Sequence, residues 1–187
     1  SQYSMFNDAT AFNQDLSSWN SGSSYIFTDR DALDTAVSAW KNDNIGATAL
    51  YGDISTWDVS AITDFSYLFY GKWLDADGND DFELSNWDVS NGADFRYMFA
   101  YNNNFNEDIG SWDVSSGTNF SNMFYGADWF DKDIGSWDVS SGTNFSNMFY
   151  GAASFNQDIS SWDISNGTDF TSTVSYTHLR AHETSQH

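Results

Sequence analysis

Twenty consecutive residues, Asp108 to Ala127, recur letter for letter from Asp133 to Ala152. Weaker copies flank them, each marked by a tryptophan: Trp19, Trp57, Trp87, Trp112, Trp137 and Trp162. The last four are 25 residues apart, and the two earlier gaps are 38 and 30 residues. A period of this size belongs to chains whose units cannot bury an apolar face alone and must stack on their neighbours. This constrains the fold more than any other feature of the chain.

In the unit that starts at Ile109, Trp112 and Val114 are two residues apart, so they share one face of an extended segment. Phe120, Met123, Phe124 and Ala127 follow at i, i+3, i+4 and i+7, the stripe of a short helix. Thr118 or Asn119 is placed to cap that helix and Gly126 to end it. Phe130 closes the unit. The expected fold class is α/β: a leucine-rich-repeat-like solenoid of strand–helix turns of about 25 residues. The alternative is a mostly-β solenoid.

The segment Phe155-Asn-Gln-Asp-Ile-Ser-Ser-Trp-Asp-Ile164 and its copies resemble the BspA-like repeats, also called Mycoplasma lipoprotein or DUF285 repeats. The resemblance covers residues 1–22 and 46–172. It implies a distant likeness to leucine-rich repeats, surface display, and adhesion or protein contact, with no catalytic residues to carry over. The chain departs from the pattern at Gly92, Gly117, Gly142 and Gly167, where the family more often has Val; Ile62 keeps the apolar form. The departure implies a less well packed bend after each strand.

Four parts are expected along the chain. Residues 1–22 are a partial repeat. Residues 23–45 are a helical cap or a spacer between arrays, with Leu33, Ala36, Val37 and Trp40 as the buried stripe and Thr28 as the cap. Residues 46–172 are the array, with one insertion around Asp75–Asp81. Residues 173–187 break the pattern and are expected to be a non-native tail. With no initiator Met and no signal peptide, the chain reads as a mature form or a fragment. All three His lie in the tail, where His178 and His182 at i, i+4 lack a third zinc ligand.

The formal net charge is −21, which excludes nucleic acid and anionic membranes as partners and favours basic ones. No apolar run approaches a membrane span, so no membrane insertion is expected in this segment. There is no Cys, hence no disulfide framework.

Two acidic columns run up the array: Asp15, Asp53, Glu83, Asp108, Asp133 and Asp158 before each strand, and Asp58, Asp88, Asp113, Asp138 and Asp163 after each Trp. They read either as a cation ladder or, the better account, as residues that each bond their own turn. Asp75, Asp77, Asn79, Asp81 and Glu83 form the candidate metal site: alternating oxygen ligands of the kind Ca²⁺ takes, though not in the EF-hand pattern. No cofactor is required, and Ca²⁺ is the one candidate. Tyr70, Tyr125, Tyr150 and Trp129 are the candidate binding surface, with a wide core as the equal alternative. Asn119, Asn144 and Asn166 head glycosylation sequons. Carboxylates that recur in every unit behave as structural residues, whereas a catalytic pair is singular, so no enzyme is expected. The expected function is adhesion or protein binding outside the cell or at its surface, to a protein or glycan ligand. The alternatives are a fibre or matrix subunit assembling end to end, and carbohydrate binding by exposed aromatics.

Overall fold

The computed structural model describes residues 24–71 and 83–173. The expected partial repeat 1–22, the insertion residues Asp75, Asp77, Asn79 and Asp81, and the tail histidines lie outside the described residues.

The first described segment, around Ile26, pairs in parallel with Asp58. Helix α1 follows, Arg30–Asn42, and turns inward the expected Leu33, Ala36, Val37 and Trp40. Its cap is Asp29 rather than Thr28: the Asp29 carboxylate accepts from the Ala32 N–H at 2.8 Å. Asp43 ends α1 and starts α2, Asn44–Tyr51, by accepting from the Gly46 N–H at 2.9 Å. Gly52 stops α2 with a positive φ of 79°, which glycine adopts without steric cost.

Beyond α2 the described chain is a stack of coils that begin at Asp53, Glu83, Asp108, Asp133 and Asp158. The helix expected over 118–127 does not form. In a helix the Phe124 N–H would donate to Phe120; here it donates to Met148 in the next coil at 2.9 Å. Phe120, Asn122 and Gly126 likewise donate to Asn144, Ser146 and Tyr150 at 2.8 Å each. The intervening amides close local turns, Met123 to Phe120 and Ala127 to Phe124. The third residues of those two turns, Asn122 and Gly126, sit at φ 58° and 64°, the conformation a type II turn requires. Each coil is therefore a run of tight turns whose alternate amides point along the stack. One parallel bridge per step, Asp64–Asp94–Asn119–Asn144–Asp169, holds the register.

This register puts like on like. Phe65, Phe95, Phe120, Phe145 and Phe170 form one column with centroids 5.4–5.5 Å apart and planes within 11° of parallel. Phe69, Phe99, Phe124 and Phe149 form a second, at 5.5–5.6 Å. From Trp87 onward the tryptophan of each coil reaches back one coil: the indole N–H of Trp87 donates to Ile54, that of Trp112 to Leu84, that of Trp137 to Ile109 and that of Trp162 to Ile134. A buried indole N–H thus always has a partner.

The N-terminal side of the stack is closed by a side chain. Asp94 and Arg96 offer their carbonyls to amides of the preceding coil. The corresponding carbonyls of the first coil, Asp64 and Ser66, accept instead from the Arg30 guanidinium of α1, at 3.1 and 2.6 Å. The planar fork of arginine suits two parallel acceptors.

The bends after the Trp-x-Val segments are filled rather than loose. A Cβ on Gly117 would lie 2.3 Å from Cζ of Phe120 and 2.9 Å from the Val114 carbonyl oxygen. The Phe120 ring occupies the space that Val takes in the family pattern, and it is held between Phe95 and Phe145. Ile62 fits in the first coil, where Phe95 is the one described ring stacked on Phe65. Gly117→Val is therefore expected to destabilise the fold by about 1–3 kcal/mol through overpacking, measured by denaturant titration.

Candidate functional site

The acidic columns serve the backbone. Asp53, Asp58, Asp88, Asp108, Asp113, Asp133, Asp138, Asp158 and Asp163 each accept from the N–H two residues ahead, at 2.9–3.1 Å. A third column does the same: Asp64, Asp94, Asn119, Asn144 and Asp169 accept from residues 66, 96, 121, 146 and 171 at 2.8–3.1 Å. These are side-chain-closed turns, and they explain one Asp or Asn at each corner of every coil. Asn119, expected as a helix cap, works in this way. Glu83, the one described member of the expected Ca²⁺ site, is exposed and accepts from the Ser85 hydroxyl at 2.9 Å. Among the described residues, no three His, Cys, Asp or Glu side chains converge as a metal-ligand set.

What the coils leave outward is a strip of tyrosines. Tyr67 stacks on Tyr97 at 4.7 Å with the rings 9° apart. Tyr67 also meets Tyr70 at 5.6 Å, Tyr70 meets Tyr101 at 5.6 Å, and Tyr101 meets Tyr125 at 5.1 Å. Tyr125 stacks on Tyr150 at 5.0 Å and 19°. Six rings thus touch in one unbroken run across four coils. Tyr67, Tyr70, Tyr101 and Tyr150 are 43–48% exposed; Tyr97 and Tyr125 are half-buried between neighbours. Burial among these rings, with the Tyr101 phenol next to it, raises the Tyr125 hydroxyl above its ordinary value, so it stays protonated.

Tyr70, Tyr125 and Tyr150 of the expected surface therefore come together. Trp129 is the most exposed aromatic of the return segment, at 63%, and its N–H donates to Asn103 of the preceding coil. Tyr67, Tyr97 and Tyr101 belong to the strip but escape a reading of the duplicated units, which carry Asn122, Asn147, Gly126 and Gly151 in their places. The available signal is that Tyr101 stands one residue past Ala100, the position of Tyr70 and Tyr125, and so keeps a ring in that coil.

Stacking decides what the strip presents. Where Tyr67 stacks on Tyr97 and Tyr125 on Tyr150, one face of each ring is spent on its neighbour. A sugar ring stacks on an open aromatic face, whereas a protein surface meets edges, hydroxyls and apolar rims equally well.

A model of the family described as Mycoplasma protein of unknown function, DUF285, matches residues 1–52, 44–126 and 73–186. The chain belongs to this family. No curated protein and no solved structure matches the chain. In this DUF285 chain, the stacked coils and their Asp or Asn corners follow directly from the repeat.

The corner carboxylates make stability depend on pH. Hydrogen bonds from the Ser two residues ahead hold Asp58, Asp113, Asp138 and Asp158 below the ordinary value of 3.8. Backbone N–H donation from Ser165 and Thr171 does the same for Asp163 and Asp169. Burial opposes the shift at Asp64, but the Ser66 bonds and two arginines prevail. Asp34 runs the other way, raised chiefly by burial. A carboxylate lowered by folding stabilises the fold above its unfolded value and loses that contribution as pH falls through its folded one. With seven groups lowered and one raised, thermal melts should show the melting temperature falling as pH drops below about 3.8. A melting temperature that climbs throughout acidification would mean that relief of self-repulsion outweighs these bonds.

Proposed function

We propose that this chain is a non-catalytic binding module, displayed outside the cell or on its surface, that holds a protein partner on the tyrosine strip. Its architecture is a mostly-β solenoid rather than a strand–helix one, since each coil closes by turns and cross-coil amide bonds. The observation that carries the functional reading is the contrast between side chains spent and side chains left over. Most of the recurring Asp and Asn side chains close turns, and the apolar side chains fill the columns. Six touching tyrosines are left at the surface. Tyrosine offers large, rigid contact area with little conformational entropy to lose, which is why it is enriched at protein interfaces. The −21 charge favours a basic partner and makes encounter sensitive to salt.

A protein partner is favoured over a glycan because one face of each stacked ring is already covered by its neighbour; Trp129 is the exception, standing in the return segment. The catalytic alternative has little support, because every corner carboxylate has counterparts in the other coils.

The test is binding of the full chain to a panel of purified basic extracellular proteins and to a glycan array. Wild type is compared with a Tyr70→Ala, Tyr125→Ala, Tyr150→Ala variant and with Trp129→Ala. Protein binding should weaken at least about tenfold in the triple variant, the loss expected of a central aromatic anchor. It should also weaken with added salt. Binding unchanged by the triple variant, or confined to glycans and lost in Trp129→Ala, would contradict the assignment.

A further inference from the structure

The tyrosine strip has a chemistry beyond contact. We propose that it is a site of oxidative cross-linking, at which phenols of two copies of this chain are joined as dityrosine by a haem peroxidase with hydrogen peroxide. The inference rests on the exposure and spacing of the phenols, not on the binding role, so the two can fail separately.

Three observations support it. The first is access: Tyr67, Tyr70, Tyr101 and Tyr150 are 43–48% exposed. The second is continuity. Each of the six rings lies within 5.6 Å of another, so an electron lost from one phenol can be replaced from the next. The radical then reaches whichever ring meets a partner. The third is the burial of most competing sinks among the described residues, with the 63%-exposed Trp129 as the main exception. The chain has no thiol. Met98, Met123 and Met148 are fully buried, and Trp57, Trp87, Trp112 and Trp137 are buried with their indole N–H groups bonded. Tyr25 lies apart from the strip, against Phe27 and Tyr51.

The chemistry balances. Each of two phenols gives up one electron and its hydroxyl proton to become a phenoxyl radical. The two radicals form one C–C bond between carbons ortho to oxygen, and the hydrogen on each joined carbon moves to the oxygen. Two electrons and two protons leave in total, and hydrogen peroxide takes them up as two waters. Ortho carbons lie on the ring edge beside the hydroxyl. In the face-to-face pairs Tyr67–Tyr97 and Tyr125–Tyr150 those edges do not oppose each other, so these rings couple between copies, edge to edge; the tilted contacts Tyr67–Tyr70 and Tyr101–Tyr125 make linkage within one chain the competing product.

The experiment treats the full chain with a haem peroxidase and limiting hydrogen peroxide. It reads covalent dimers on denaturing gels, dityrosine fluorescence, and cross-linked peptides by mass spectrometry. Wild type should form covalent dimers whose linkages map to the strip. A variant with Tyr67, Tyr70, Tyr97, Tyr101, Tyr125 and Tyr150 all changed to Phe keeps the rings but lacks the phenols, and should lose most of the product. Absence of dityrosine in wild type would overturn the proposal, as would linkages that map to Tyr25 as often as to the strip. A six-fold variant that cross-links as well as wild type would overturn it too. The wild-type map decides the matter even if the variant fails to fold.

Discussion

Everything in this structure depends on where the amides of one stretch per coil go. The N–H groups of Phe120, Asn122, Phe124 and Gly126 leave their own coil and pair with carbonyls of the next. Those bonds set the rise and the register together. Once the register is a fixed residue count, every side chain meets its own kind one coil away. The two phenylalanine columns, the tryptophan indoles reaching back one coil and the tyrosine strip all follow from it. Stability of this kind is a sum of units and of the interfaces between them. An end without a neighbour leaves carbonyls unpaired, and the placement of Arg30 over Asp64 and Ser66 is the molecule's answer on one side.

The same register creates an electrostatic difficulty. An Asp at each corner places carboxylates one above another through the stack, and like charges at that spacing repel. The fold offsets this by giving the corner aspartates a nearby N–H, often with a hydroxyl as well, as Asp58 has from Ser60 at 3.0 and 2.6 Å. The acids thereby serve the backbone of their own turns. The strip tyrosines close no such turns, and the proposed binding role rests on this difference.

Much of this was legible in the residues. The period, the inward Ile, Trp and Val of each unit, and α1 with its Leu33, Ala36, Val37 and Trp40 stripe are periodic signals, strong because burial enforces them. The role of Asp at the corners was legible from its habit of closing turns. The second half of the coil was not. Phe120, Met123, Phe124 and Ala127 keep a helical spacing, yet a run of turns with left-handed residues at Asn122 and Gly126 brings the same four side chains inward. Apolar spacing cannot separate the two, and the deciding bonds are made to a coil 25 residues away. The glycines after each strand misled for a related reason: the Phe that fills the gap at Gly117 comes from three residues further on. Half of the strip was missed because Tyr67, Tyr97 and Tyr101 occupy places where the duplicated units have Asn or Gly.

Each coil is closed by turns and cross-coil amide bonds instead of a helix. Backbone chemical shifts by NMR over Ala93–Tyr101 test it most directly, since this stretch is not duplicated elsewhere in the chain. No helical run is expected there, with left-handed shifts at Tyr97 and Tyr101, whose φ values are 56° and 58°. An unbroken series of helical shifts from Phe95 to Tyr101 would contradict it and restore a strand–helix repeat.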